Sequence, residues 1–491
     1  MHSSRRGVAR VRNLGVPGRT AIVVLTAALG SLSPLTAYAQ TSPNDDSSGY
    51  FAVPPPVATS PPTDDGQPDQ AYKQTQECVK RDLNNNLVLR DRPWGQTYLQ
   101  IEQAQRLAVA KTGSAGGGQK VAVIDTGVTQ HPYFRFPIVP GGDYVDPGKQ
   151  GLEDCDGHGT EVAGIIAANT PPDIGFKGVA PDSQIVSIRQ TSQSYGPAND
   201  QASSSSGGNG TREQGQGAGN LTTLAKAVVD AANRNVGVIN MSVDNCRPST
   251  GTISAQEQSL QAAIHYAVHT KDVVVVAAAG NVSDTCKQND QADPRKPTSI
   301  VTPPWFSDDV LSVAAIDETG GVANFSVWGP WVSVAAPGTN ITSLDPSTPA
   351  GPNLANQVVE GGKQQPIQGT SFAAPYVAGV AALVRAQFPN LNAQQVVHRI
   401  EATAQHPGAP GGRDNFIGYG VVNPVAALTA IVPSEEGVAA AANRQLPPGL
   451  PPPANHNWTP MIVALGGTGG GLVVLIVTLF VVHTIRRNRP G

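Results

Sequence analysis

Charge is scarce in this chain. Only 14% of its 491 residues are charged, and the formal net charge at pH 7 is −4. Nucleic-acid binding needs a concentrated basic surface, so no nucleic-acid partner is expected. Cysteine is scarce too, at four residues, and none stands in a Cys-x-x-Cys pair. There is no His-Glu-x-x-His and no Walker phosphate loop. Those absences remove the usual short signals of metal and nucleotide chemistry, and no cofactor or metal is expected. No calcium loop can be read. Of the nine histidines, His131, His265, His269 and His398 are scattered and read as surface or core residues rather than ligands.

Long apolar runs occur near the two ends. Arg5, Arg6, Arg10, Arg12 and Arg19 precede and enter an apolar stretch, Ala21 to Leu32, and Ala37-Tyr38-Ala39 fits an A-x-A cleavage site. Residues 1–39 therefore read as a secretory signal peptide, with an uncleaved anchor as the alternative. Met461 to Val482 is uncharged and largely apolar, of the ~20-residue length that crosses a bilayer. Arg486, Arg487 and Arg489 follow it. The positive-inside rule puts residues 483–491 in the cytoplasm and the bulk of the chain outside. Within the span, Gly466/Gly470 and Gly467/Gly471 are small-xxx-small pairs. Such pairs let helices approach closely, although glycine is also simply tolerated in membrane helices. The cysteines all lie beyond the signal peptide, which fits an oxidising compartment. Four cysteines allow three pairings.

Between the ends the composition divides the chain. Residues 40–70 are rich in Pro, Ser and Asp and read as an extended or mobile extension. Residues 71–430 alternate strand-like and helical runs, as one large parallel α/β domain should. Inside it, 192–220 is poor in apolar residues and rich in Gly, Ser, Gln and Asn, and reads as a long flexible loop near a substrate cleft. Residues 431–460 form an Ala/Pro-rich stalk.

Three peptides carry the chemistry: Val123-Ile124-Asp125-Thr126-Gly127, Asp156-Gly157-His158-Gly159-Thr160 and Gly369-Thr370-Ser371-Phe372-Ala373-Ala374-Pro375. A serine hydroxyl needs an adjacent base to become a nucleophile. Histidine can take that proton and return it to a leaving amine, and a buried carboxylate can hold the imidazole in the right tautomer. Val121 to Ile124 reads as a buried strand that puts Asp125 at its C-terminal end, where open α/β sheets carry their sites. His158 opens a helical run. Pro375 is expected in a first helical turn, so Ser371 should sit at or just before a helix N-terminus. Asp154 and Asp156 are nearer His158 in sequence than Asp125 is, but nearness along the chain is not geometry. A pepsin-like aspartic protease needs a second Asp-Thr-Gly or Asp-Ser-Gly for its paired carboxylates, and the chain has none. Ala373 breaks the Gly-x-Ser-x-Gly elbow of the α/β-hydrolases.

In that order, Asp125, His158 and Ser371 resemble the active-site segments of the subtilisin-like serine proteases, the subtilases, for which the Asp…His…Ser order is characteristic. The resemblance implies a subtilisin-like α/β fold, with a largely parallel central sheet, helices on both faces, and here one C-terminal transmembrane helix. It also implies roles for two further segments. Val273 to Asn281 is a β-branched run ending in Gly280-Asn281, and Asn281 takes the place of the family's oxyanion-hole asparagine rather than serving as a glycosylation sequon. Ile239 to Asp244 looks like the strand that lines the P1 side-chain pocket and pairs with substrate, so Ser242, Val243 and Asp244 are substrate-binding candidates. Asp244 replaces the family's usual glycine.

On the same resemblance, Cys246 and Cys286 follow neighbouring strands at one sheet edge and should pair, which leaves Cys78 with Cys155. Glu161 stands where many subtilases have a second histidine. Signal peptide, extension, protease domain, stalk and single span together resemble the mycosins, membrane-anchored subtilases of type VII secretion systems. That resemblance implies proteolysis of peptide or protein substrates of such a system, association with membrane components of its complex, and anchoring in the lipid bilayer. A structural subunit whose chemistry is dispensable for secretion is the alternative.

Overall fold

Continuous apolar runs become the strands of a parallel sheet, because each strand is buried on both faces. The computed structural model describes residues 52–79, 90–198, 217–250, 252–291, 296–347, 353–360, 363–436 and 459–487. The signal-peptide reading of 1–39 and the glycine- and serine-rich middle of 192–220 lie outside them. The strands used below are β1 (Tyr72–Gln74), β2 (Lys120–Asp125), β3 (Val139–Asp143), β4 (Gln184–Arg189), β5 (Tyr195–Pro197), β6 (Val238–Met241), β7 (Asn245–Pro248), β8 (Val274–Ala278), β9 (Ser299–Thr302), β10 (Leu311–Ile316) and β11 (Val334–Pro337). The helices are α1 (Trp94–Tyr98), α2 (Ile101–Thr112), α3 (His158–Ala167), α4 (Leu221–Asn233), α5 (Ala255–His265), α6 (Thr370–Gln387), α7 (Ala393–Ala402), α8 (Pro424–Thr429) and α9 (Thr459–Arg487).

Seven strands form one sheet in the order β11-β10-β8-β6-β2-β4-β3, and every pair in it is parallel. The chain lays β2, then β3 and β4 on one side of it. It then returns to add β6, β8, β10 and β11 on the other side. The order therefore reverses at β2, and in open α/β sheets the crevice at the carboxyl ends of strands at such a point binds ligands. Asp125 is the last residue of β2. Helix α6, buried from Thr370 to Val384, packs across β6, β8, β10 and β11 and against α3. The subtilisin-like α/β architecture expected from the sequence is the one observed.

Three expectations need correction. Pro375 is the sixth residue of α6, in its second turn rather than its first. Segment 192–220 is not loop throughout. Tyr195–Pro197 is a strand paired antiparallel with Tyr72–Gln74, and Asn220 caps α4 through a capping box with Thr223. Likewise the stalk assigned to 431–460 begins as part of the domain: Pro433–Glu436 is a short 3-10 turn, and Glu435 pairs with the buried Arg399.

Within the extension, residues 52–70 have no regular structure but are tied to the domain. Pro55 O accepts from Gln261 Nε2 at 2.7 Å, Asp64 accepts from Tyr144 Oη at 2.8 Å, and Asp65 pairs with Lys226 at 2.8 Å. Disulfides join Cys78 to Cys155 and Cys246 to Cys286. Helix α9 runs beyond both ends of the expected 461–482 span. Its stretch Gly467–Arg487 has a mean hydropathy of 2.1 and is long and apolar enough to cross a membrane.

Candidate active site

The tight apposition of α3 and β2 depends on missing side chains. Gly157 caps α3 at φ +84°, a left-handed conformation that other residues enter at a cost. A Cβ on Gly159 would lie 2.0 Å from Gly127 O and 3.2 Å from Asp125 Cβ. With no Cβ there, the first turn of α3 lies directly on the end of β2. His158 Nδ1 then stands 2.7 Å from Asp125 Oδ1, with the carboxylate fully buried and the imidazole 28% exposed. Thr126 N–H donates to the same carboxylate oxygen at 2.8 Å. Asp125 Oδ2 is buried with no partner among the described residues.

Neighbouring groups hold that geometry. Asp154 accepts from Gly157 N–H (2.7 Å), Thr160 N–H (2.8 Å), Thr160 Oγ1 (2.6 Å) and Thr126 Oγ1 (2.8 Å). Its carboxylate therefore caps the start of α3 and joins it to the β2 turn, satisfying donors that a helix N-terminus leaves open. Burial pushes its pKa up, against the lowering effect of these bonds. Asp156 accepts from Ser192 Oγ at 2.5 Å, from Ser194 Oγ at 3.0 Å and from the N–H groups of Gln193 and Ser194, both at 2.9 Å. It fastens the start of the 192–220 segment beside His158. Neither aspartate bonds the imidazole. For His158 itself, burial pulls the pKa down. The charge and hydrogen bond of Asp125 outweigh it, Glu161 and Asp154 add to them, and the pKa is pushed up to about 9. Glu161, 1% exposed, thus acts on the imidazole through its charge.

Ser371 is the second residue of α6 and 9% exposed. The ring of its neighbour Phe372 lies 5.0 Å from the His158 ring, which puts the two helix starts face to face. The Ser371 hydroxyl has no hydrogen bond among the described residues. Its carbonyl does: Ser242 Oγ donates to it at 2.7 Å, and Asn240 Nδ2 donates to Ser242 Oγ at 2.9 Å. Pro375 explains the arrangement. It has no N–H to give the carbonyl four residues back, and that carbonyl belongs to Ser371. Ser242, 7% exposed, therefore spends its side chain on the Ser371 backbone, and its main chain is left for other contacts. Val243 and Asp244 lie beyond the strand on the more open side.

Asn281 follows β8 and is exposed. Its Oδ1 accepts from Thr370 N–H at 3.0 Å and from Thr370 Oγ1 at 3.2 Å, so the amide is fixed by its oxygen and Nδ2 remains available. The residue before Ser371 thereby ties the β8 loop to α6. Thr126, Asp154, Asp156 and Thr370 were not singled out as supports from the sequence. An Asp and a Thr flanking a helix start were the available signal for Asp154.

A site with these parts at the carboxyl edge of a parallel sheet can activate a hydroxyl and stabilise an oxyanion. The model of the subtilase family matches residues 116–420. Mycosin-1 of Mycobacterium tuberculosis is 43% identical, over 91% of this chain and 95% of its own length. The crystal structure of MycP1 from Mycobacterium smegmatis superposes with a TM-score of 0.69 at 40% identity, covering 80% of this chain and all of that one. A chain in the intact ESX-5 inner membrane complex superposes with a TM-score of 0.64 at 37% identity, over 87% of this chain and 100% of its own.

Proposed function

Since the chain belongs to the subtilase family and, within it, to the mycosins, we propose that this serine protease is a membrane-anchored extracytoplasmic endopeptidase serving a type VII secretion system. Ser371 is the nucleophile. His158 takes its proton as the hydroxyl attacks the scissile carbonyl and returns it to the leaving amine. Asp125 holds the imidazole with Nδ1 protonated, so that Nε2 faces the serine. Asn281 Nδ2 and the Ser371 N–H at the start of α6 stabilise the oxyanion. The backbone after β6, from Ser242 to Asp244, receives the substrate strand.

The 2.7 Å contact between His158 and the buried Asp125 carries this reading, because it makes a base out of a histidine at the sheet's carboxyl edge. The missing Ser371–His158 hydrogen bond is no obstacle, since such bonds tighten when substrate arrives. The test is labelling of the purified full-length protein by a fluorophosphonate. Wild type should be labelled at Ser371. Ser371→Ala and His158→Ala should not, and equal labelling of wild type and Ser371→Ala would refute the assignment.

The topology follows from α9, with Arg486 and Arg487 at its end, which the positive-inside rule keeps in the cytoplasm. Proteolytic accessibility of the domain on intact cells tests that placement. A second role also has support. The resemblance to the chain of the ESX-5 inner membrane complex extends over more of this chain, 87%, than that to the MycP1 crystal structure, 80%. Subunit and protease can be one molecule. Secretion retained by Ser371→Ala and lost on deletion of the whole chain would assign the secretion role to the domain and span, and the chemistry to processing.

A further inference from the structure

The histidines read as scattered are not all so: His265 and His269 converge on Asp309. His265 is the last residue of α5. His269 stands in the π-helical turn Tyr266–Thr270 that continues it. Asp309 lies in the turn before β10, held there by its N–H on Phe306 O at 3.0 Å. His265 Nδ1 is 2.9 Å from Asp309 Oδ2, and His269 Nε2 is 2.6 Å from Asp309 Oδ1. The two imidazole centroids are 4.1 Å apart, and the three ligand atoms all lie within 4.8 Å of one another.

We propose that His265, His269 and Asp309 form a surface site for a divalent transition metal of the zinc class. The donor set is two imidazole nitrogens and one carboxylate, which suits zinc and its neighbours rather than calcium or magnesium. The π turn is a rare departure from α geometry, and such turns concentrate at functional positions. Here the turn sets the two rings side by side over one carboxylate. The protons that now bridge to Asp309 have somewhere to go. With the imidazole side chains 45% and 37% exposed, each ring in its neutral form can carry its proton on the nitrogen away from Asp309 and present a lone pair to the metal. Ligand atoms bonded at ~2.0–2.1 Å around a tetrahedral ion stand about 3.3 Å apart. Against the present contacts of 2.9 and 2.6 Å to the two carboxylate oxygens, the rings need to draw back by about 0.4 and 0.7 Å. Three protein ligands leave a fourth position for water.

Topology separates this site from the catalytic one. The π turn and Asp309 precede β8 and β10, at the amino ends of the parallel strands, whereas Asp125 and Asn281 sit at or beyond the carboxyl ends. Metal there would clamp the end of α5 to the turn feeding β10, without touching the peptidase chemistry.

The test uses full-length protein in detergent, dialysed against a transition-metal chelator and then titrated with ZnCl2 by calorimetry. Wild type should bind one more zinc than either the His265→Gln/His269→Gln double variant or Asp309→Asn, and its melting temperature should rise with zinc where theirs does not. Loss of an outer-shell partner already weakens metal sites about 10–100-fold, so loss of a ligand should weaken this one by about 100-fold or more. Co2+ should give the intense visible spectrum of a tetrahedral complex in wild type alone. Peptidase activity of the metal-free proteins should be equal, and circular dichroism should report the same fold. Zinc uptake that is absent from wild type, or identical in wild type and both variants, overturns the proposal and leaves a hydrogen-bonded His–Asp–His bridge.

Discussion

Two histidine–aspartate clusters with contacts of nearly the same length sit at opposite edges of one sheet. At the carboxyl edge a single imidazole, 28% exposed, stands 2.7 Å from a fully buried carboxylate. At the amino edge two exposed imidazoles stand 2.9 and 2.6 Å from one carboxylate. The difference lies in number and burial. One imidazole against one buried charge holds its tautomer and gains basicity, which suits proton transfer. Two imidazoles against one shared carboxylate, with solvent beside them, form a ligand set. Residue types do not distinguish these uses; the elements that present them do.

The sharpest way to break the contrast is to remove the hydroxyl proposed as the nucleophile at the carboxyl edge. Ser371→Ala should lower kcat by about 10⁶-fold, a scale taken from subtilisin itself, where triad members act as a unit. Peptide cleavage by the purified variant at the wild-type rate would end the catalytic reading. Asp309→Asn, the equivalent insult at the other edge, should leave cleavage unchanged.

Asp125→Asn comes next, with a loss of about 10⁴-fold, because an amide accommodates the wrong imidazole tautomer. The pH profile adds a signed test. His158 must be neutral to act as base, and its pKa is raised to about 9. Wild-type kcat/KM should therefore rise with pH toward about 9 and fall on the acid side. Without the Asp125 charge, burial is the dominant influence and pulls the pKa down, so the residual activity of the variant should show its acid limb at lower pH. An unmoved limb would mean that Asp125 does not set the basicity of His158. The same contact contributes stability that is complete below the unfolded histidine's pKa of about 6.5 and is lost as pH rises through about 9. Asn281→Ala should cost less, about 10²–10³-fold in kcat with KM little changed, again on subtilisin's scale. A loss confined to KM would make Asn281 a substrate-binding residue only.

Much of the carboxyl edge was legible because the chemistry is written in contiguous peptides. Val121 to Asp125 announces a strand that ends on a carboxylate, and His158 between its glycines announces the start of a helix. The sheet class followed from the alternation of strand-like and helical runs along residues 71–430. The supports were less legible, since they depend on hydrogen bonds between distant segments. Nothing local says that Asp154 caps α3 from outside, or that Asp156 grips Ser192 to Ser194. The strand at Tyr195–Pro197 was hidden because three residues carry no periodicity, and its partner, Tyr72–Gln74, comes from the start of the domain. The His265–His269 pair was missed for a related reason: its third member is contributed by a turn of another segment.

Ser242 and Pro375 offer the smallest effect and the most specific one. Pro375 in the second turn of α6 was misplaced by a rule that admits proline only where the helix needs no donor. The chain breaks the rule and repairs it from outside, with the Ser242 hydroxyl on the Ser371 carbonyl at 2.7 Å. Ser242→Ala should therefore leave a buried acceptor short of a donor, at about 1–3 kcal/mol of stability, with a modest fall in kcat as the Ser371 backbone loosens. Pro375→Ala supplies an N–H four residues along, able to close the ordinary helical bond on that same carbonyl. In that background Ser242→Ala should cost less, giving a coupling energy of about 1–2 kcal/mol in a double-mutant cycle, within the range for groups that share one partner. Strict additivity by denaturant titration would show that the hydroxyl and the proline are not answering the same carbonyl. A cycle across the two edges, pairing Ser242→Ala with Asp309→Asn, should be additive, since among the described residues no group beside Asp309 shares a partner with Ser371.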